Sequence, residues 1–130
     1  VSGPVALCSR VWSSGELSSS IAEHALVIDT DYGSIVVAGC SNPGVVAIAE
    51  QVHKVGQTDI ALLIGGFHLS DASEGQVHSV VTDLKRLWVQ RVAPCHCTGD
   101  RAREVIRQAY QPAFLNVGVG ASVAMPWSAV

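Results

Sequence analysis

Three short apolar runs, each closed by a turn of glycine, cysteine or histidine and each followed by a helical pattern, constrain this chain most. They are Ser34 to Ala38, leading into Gly39-Cys40-Ser41-Asn42-Pro43-Gly44; Asp59 to Ile64, leading into Gly65-Gly66-Phe67-His68-Leu69; and Arg91 to Cys95, leading into His96-Cys97-Thr98-Gly99-Asp100. Strands alternating with helices give βαβ units, with parallel strands and right-handed crossovers. The carboxyl ends of such strands share one edge, which is where α/β proteins bind ligands. Neighbouring strands lie about 4.8 Å apart, so Cys40, Asn42, His68, His96 and Cys97 are expected to converge on a common crevice.

Spacing predicts the elements between these turns. Apolar residues at helical intervals predict a helix over Pro43 to Lys54, buried along Val45, Ile48, Ala49 and Val52. Ser41 or Asn42 would cap it and Pro43 would occupy its first position. A second helix over Ser73 to Val89 would bury Val77, Val80, Val81, Leu84 and Trp88, and a third over Asp100 to Tyr110 would bury Ala102, Val105, Ile106 and Ala109. The nearly continuous apolar run from Asp59 to Ile64 reads as a central strand buried on both faces. Ala25 to Thr30 and Ser34 to Ala38 flank Asp31-Tyr32-Gly33 and predict a hairpin. Phe114 to Val119 and Ser122 to Met125 are expected as terminal strands. Residues 1 to 24 have no assigned element, because Gly3 to Leu17 is punctuated by serine and glycine. The 130 residues read as a single domain.

Composition narrows the function classes. The chain is 48% hydrophobic but only 15% charged and 5% aromatic, so its core must be built from Val, Ala, Ile and Leu. A mean hydropathy of +0.34 points to an apolar face that meets a partner. With a net charge of -3, and with Arg101, Arg103 and Arg107 on the solvent side of one helix, nucleic acid is not an expected partner. No apolar run approaches the roughly 20 residues that span a bilayer, and no basic segment precedes an apolar one at the N-terminus. The expectation is a cytoplasmic protein without membrane contact. Its four cysteines, Cys8, Cys40, Cys95 and Cys97, are expected as reduced thiols.

Taken together, Gly39-Cys40-Ser41-Asn42-Pro43-Gly44, Ile64-Gly65-Gly66-Phe67-His68-Leu69 and His96-Cys97-Thr98-Gly99 resemble metallo-β-lactamase-fold proteins. The similarity is greatest to the branch named for dihydropterin-methyl-ribofuranosylaminobenzene-phosphate synthase. It runs from about Ala25 to Gly120 and corresponds to the C-terminal half of the family domain. The resemblance implies an α/β fold with a mixed sheet, βαβ units and helices on one face, equivalent to half of an αββα sandwich. It also implies a site for zinc or another divalent transition metal, with His68 and His96 as ligands and Cys40 and Cys97 as sulfur donors. Cys40, Ser41, Asn42, Gly44, Cys97 and Thr98 would line a ligand pocket.

Two departures bear on activity. No His-x-His-x-Asp-His segment occurs in these residues, and Asn42 stands where the family usually carries histidine. Catalytic zinc takes three protein ligands and a water, so two histidines imply weak metal binding and weak or absent hydrolysis of esters or phosphoesters. Because the family covers each sheet with the other half, the resemblance implies a homodimer through the exposed sheet face.

Other readings of the same residues stand beside this one. His68 and His96 can be imidazoles bonded to backbone at strand ends. Cys40 can be a small packed thiol or the nucleophile of a strand-to-helix elbow with a histidine base, and Cys97 a packed thiol or an activated one. The turn from Ser41 to Gly44 can hold an anion or simply cap a helix. The chain can accordingly be a metallohydrolase-like half-domain with an eroded site, a non-catalytic small-ligand-binding or assembly module, or one half of a split enzyme.

Overall fold

The computed structural model describes residues 2–126 and the backbone of 128–129. Two short strands, β1 (Val5–Cys8) and β2 (Val11–Ser13), lead to the hairpin of β3 (Leu26–Thr30) and β4 (Gly33–Val37). Then follow α1 (Val45–Gly56), β5 (Ile60–Gly66), α2 (Glu74–Arg86), β6 (Val92–Cys95), a 3-10 turn at His96–Thr98 and α3 (Asp100–Tyr110). The first six strands form one sheet in chain order, antiparallel from β1 to β4 and parallel from β4 to β6. This is the predicted mixed α/β sheet with helices on one face.

Side-chain alternation on the strands sorts the two faces of the sheet. Val27, Val36, Leu63 and Val92 are fully buried against Ile48 and Val52 of α1, Val77 and Leu84 of α2 and Ile106 of α3. On the opposite face Ile35, Val37, Leu62 and Ile64 line a cavity of about 650 Å³, shared with Val117, Val119 and Val123 of the C-terminal segment. Register brings these residues together, because Ile35 lies opposite Leu62 and Val37 opposite Ile64. The apolar face is therefore partly roofed by the chain itself. No helix among the described residues is long and apolar enough to cross a membrane.

Several boundaries depart from the sequence expectation. Helix α1 starts at Val45 with Gly44 as its cap at φ 102°, and no side chain caps it. Ser41 and Asn42 do not serve because both side chains are engaged elsewhere. Trp88 is not on the buried stripe of α2 but is 73% exposed. The helix ends in a Schellman reversal: Val89 N–H donates to Leu84 O, Trp88 N–H donates to Lys85 O, and Trp88 takes the left-handed conformation at φ 59°. The reversal returns Val89 to the core at 3% exposure, in place of Trp88.

The expected strand from Phe114 to Val119 is a single parallel bridge between Phe114 and Val92. Beyond it, Asn116 accepts a hydrogen bond from Arg103 of α3 at 2.9 Å. The expected strand from Ser122 to Met125 shortens to β7 (Val123–Ala124), which pairs with β8 (Ser128–Ala129) apart from the main sheet. At the other end, β1 and β2 hold where no element was assigned. Ser14 and Ala25 exchange backbone and side-chain hydrogen bonds, and Trp12 Nε1 donates to Asp29 at 3.0 Å.

A left-handed non-glycine residue costs about 1–2 kcal/mol, while glycine's added unfolded-state entropy returns about 0.5–1 kcal/mol of that. Trp88→Gly is therefore expected to hold or raise stability by up to about 1 kcal/mol in urea unfolding. Leu63→Ala, in the closed core, is expected to lower it by about 2–5 kcal/mol. A large loss from Trp88→Gly would contradict the reversal.

Candidate metal centre at the carboxyl ends of the parallel strands

Three turns meet where β4, β5 and β6 end, and backbone packing forces them close. Ala38 N–H donates to Ile64 O at 2.9 Å and Gly66 N–H to Gly39 O at 2.8 Å, which carries the β4–β5 ladder past the end of β4. Gly65 at φ 142° has no alternative, since a Cβ there would strike the Ala38 carbonyl. Two buried hydroxyls tie the turns to β5. Ser41 Oγ donates to Gly66 O at 2.6 Å, and Thr98 Oγ1 accepts from Phe67 N–H at 3.1 Å while donating to Cys95 O at 2.6 Å. These bonds engage Ser41 and Thr98 with backbone, whereas Gly44 has open space beside it.

The lacing brings Cys40, His96 and Cys97 together, with one donor atom from each lying within 4.8 Å of the others. Cys40 Sγ stands 3.3 Å from His96 Nε2, and Cys97 Sγ donates to Cys40 O at 3.3 Å. The thiols are half-buried and the imidazole is exposed. Gly66 makes this approach feasible, because a Cβ at that position would lie 2.5 Å from Cys97 Sγ and 2.6 Å from His96 Nε2. Desolvation, followed by the neighbouring Cys97 and then by Glu23, pushes the Cys40 thiol above its ordinary pKa. His96 and Cys95 also line the 650 Å³ cavity, so cluster and cavity adjoin.

His68 stands outside this group. It is exposed at φ 52°, just beyond β5, and His96, Cys40 and Cys97 form the three-donor set among the described residues. Asn42 is engaged by Glu23. Its Nδ2 donates to Glu23 Oε1 at 2.8 Å and its backbone N–H to Glu23 Oε2 at 3.0 Å. Glu23 is the site residue that sequence reasoning missed. It is 19 positions from Asn42, and no local pattern links the two.

A solved crystal structure of a metal-dependent hydrolase of the β-lactamase superfamily superposes with a TM-score of 0.81 at 23% identity, over 92% of this chain and 55% of that one. The chain has the metallo-β-lactamase fold. It is also related to a 7,8-dihydropterin-6-methyl-4-(β-D-ribofuranosyl)-aminobenzene-5'-phosphate synthase of Methanocaldococcus jannaschii, 35% identical over 99 residues. That match covers 75% of this chain and 34% of the synthase. An uncharacterized protein of the same organism is 30% identical over 86 residues, covering 65% of this chain and 32% of that protein. The chain thus spans about a third of the length of these curated relatives. No family model matches it.

Within this metallo-β-lactamase fold the cluster is a partial metal-binding set: one imidazole and two thiols, beside an amide held by a carboxylate. The clamp gives a prediction. A hydrogen bond to a charged group contributes about 1.5–3 kcal/mol, so Glu23→Ala is expected to destabilise the chain on that scale and to accelerate hydrogen exchange at the Asn42 amide. Unchanged protection of that amide would refute the clamp.

Proposed function

We propose that this chain is a metallohydrolase-like half-domain that binds a transition metal weakly and has weak or no hydrolase activity. The convergence of Cys40, His96 and Cys97, with the Asn42 amide bonded to Glu23, carries this reading. His96 is the principal ligand, and His68, exposed beyond the end of β5, is a secondary one. A bound metal supplies Lewis acidity and lowers the pKa of a coordinated water. Gly66 leaves the space, and the Ser41 and Thr98 bonds fix the turns that carry the donors.

Outside the metal site, the reading includes a homodimer. The apolar residues Ile35, Val37, Leu62 and Ile64 support it, because obligate interfaces resemble a divided core. The composition supports a cytoplasmic protein that binds neither nucleic acid nor membrane. The 650 Å³ cavity favours a second reading, a non-catalytic small-ligand-binding or assembly module, since its size falls in the range of ligand pockets.

Elemental analysis and light scattering on the purified chain separate these readings. Zinc or another transition metal at one equivalent or less, reduced strongly in His96→Ala and partially in His68→Ala, is expected, together with a mass of two chains. Hydrolysis of bis(p-nitrophenyl) phosphate is expected to stay near background. Metal-free protein of unchanged stability would favour the binding module, and a monomeric mass at micromolar concentration would remove the dimer.

A further inference from the structure

The chemistry of the donor set says which metals this site selects. Cys40 and Cys97 offer sulfur, His96 offers nitrogen, and no carboxylate belongs to the cluster among the described residues. Glu23 is the neighbouring acid, and both of its oxygens already accept hydrogen bonds from Asn42. We infer that Cys40 and Cys97 bind the metal as thiolates together with His96, forming a sulfur-sulfur-nitrogen site with three protein ligands for a thiophilic ion such as zinc or cuprous copper. The inference rests on the metal-site reading above and deepens it, because it replaces an imidazole-centred site by a sulfur-centred one.

Distances support the assignment. Zinc bonds sulfur at about 2.3 Å and nitrogen at about 2.0 Å, which places two ligands of a tetrahedral ion about 3.5 Å apart. Cys40 Sγ and His96 Nε2 stand 3.3 Å apart before any ion enters. Cys97 Sγ already points toward the Cys40 turn, where it donates to the Cys40 carbonyl. The glycine at position 66 is what a shared metal requires, since any side chain there would occupy the space between Cys97 Sγ and His96 Nε2. Soft thiolate donors select zinc and cuprous copper, whereas magnesium and manganese take oxygen ligands.

The same atoms could serve instead as a cysteine nucleophile with a histidine base. That chemistry engages one thiol and one imidazole, whereas here a second thiol, Cys97 Sγ, lies beside both and donates to the Cys40 carbonyl. Shared metal binding is the use of the three donors that needs both thiols. A dyad would leave Cys97 without a part.

Titrating the reduced chain with cobalt(II), and measuring zinc affinity against a chromogenic chelator, tests the inference. A one-to-one cobalt complex with a thiolate-to-cobalt charge-transfer band is expected, unaffected by Cys8→Ser and by a large excess of magnesium. Cys40→Ser and Cys97→Ser should each remove or sharply reduce the band and weaken zinc by more than about 100-fold, beyond the 10- to 100-fold typical of outer-shell partners. Gly66→Ala, which leaves every donor present but fills the space between them, should weaken zinc to a similar degree, with circular dichroism confirming the fold of each variant. Metal bound through His96 without the band, and unaffected in both serine variants, would overturn the thiolate inference and leave the metal-site reading standing. No binding of either metal by folded protein would overturn both.

Discussion

Close approach of backbone at Gly65 and Gly66 is the constraint on which the rest of the structure depends. At the first position a side chain would strike the Ala38 carbonyl, and at the second it would enter the space of His96 and Cys97. With both side chains absent, the turns after β4 and β6 fold against the end of β5 from either side. The hydroxyls of Ser41 and Thr98 then fasten those turns to Gly66 and Phe67. A central strand buried on both faces thus ends in the one segment that two neighbours can share.

That arrangement explains why the chemistry gathers where it does. Three parallel strands in register deliver their carboxyl ends to one edge, and the residue after each strand becomes a neighbour of residues far away in sequence. Cys40 and His96 are 56 positions apart and in contact. The same register turns Ile35, Val37, Leu62 and Ile64 to the face away from the helices, where they form the floor of the cavity beside the cluster. One alternation, set by the pleat, produces both the helix-packed core and the apolar face that the C-terminal segment partly covers.

The Glu23 clamp fixes the turn after β4 from a loop far away in sequence. An amide at position 42 gains a carboxylate partner in the loop before β3, and both groups are satisfied without any metal. The thiols and His96, by contrast, have few partners other than one another. Within the metallo-β-lactamase fold, the described three-donor cluster thus consists of one imidazole and two thiols.

Much of this was legible from order and spacing. The hairpin, the three parallel strands, the buried stripe Val45, Ile48, Ala49 and Val52, and the full extent of α3 follow from local periodicity, because burial on one face imposes it. Local signals misplaced Trp88, since a reversal dictated by the core position of Val89 overrode the helical spacing. They left β1 and β2 unread because those strands are short and are held by cross-strand bonds to residues such as Asp29 and Ala25. In the same way, sequence alone determined that cysteine and histidine would stand at strand ends. Only the tertiary structure decided that Cys40, His96 and Cys97 meet while His68 stands aside and Asn42 turns to Glu23. Which donors share one point in space depends on backbone approach at Gly66 and on partners 19 to 57 residues away, and no local pattern encodes either.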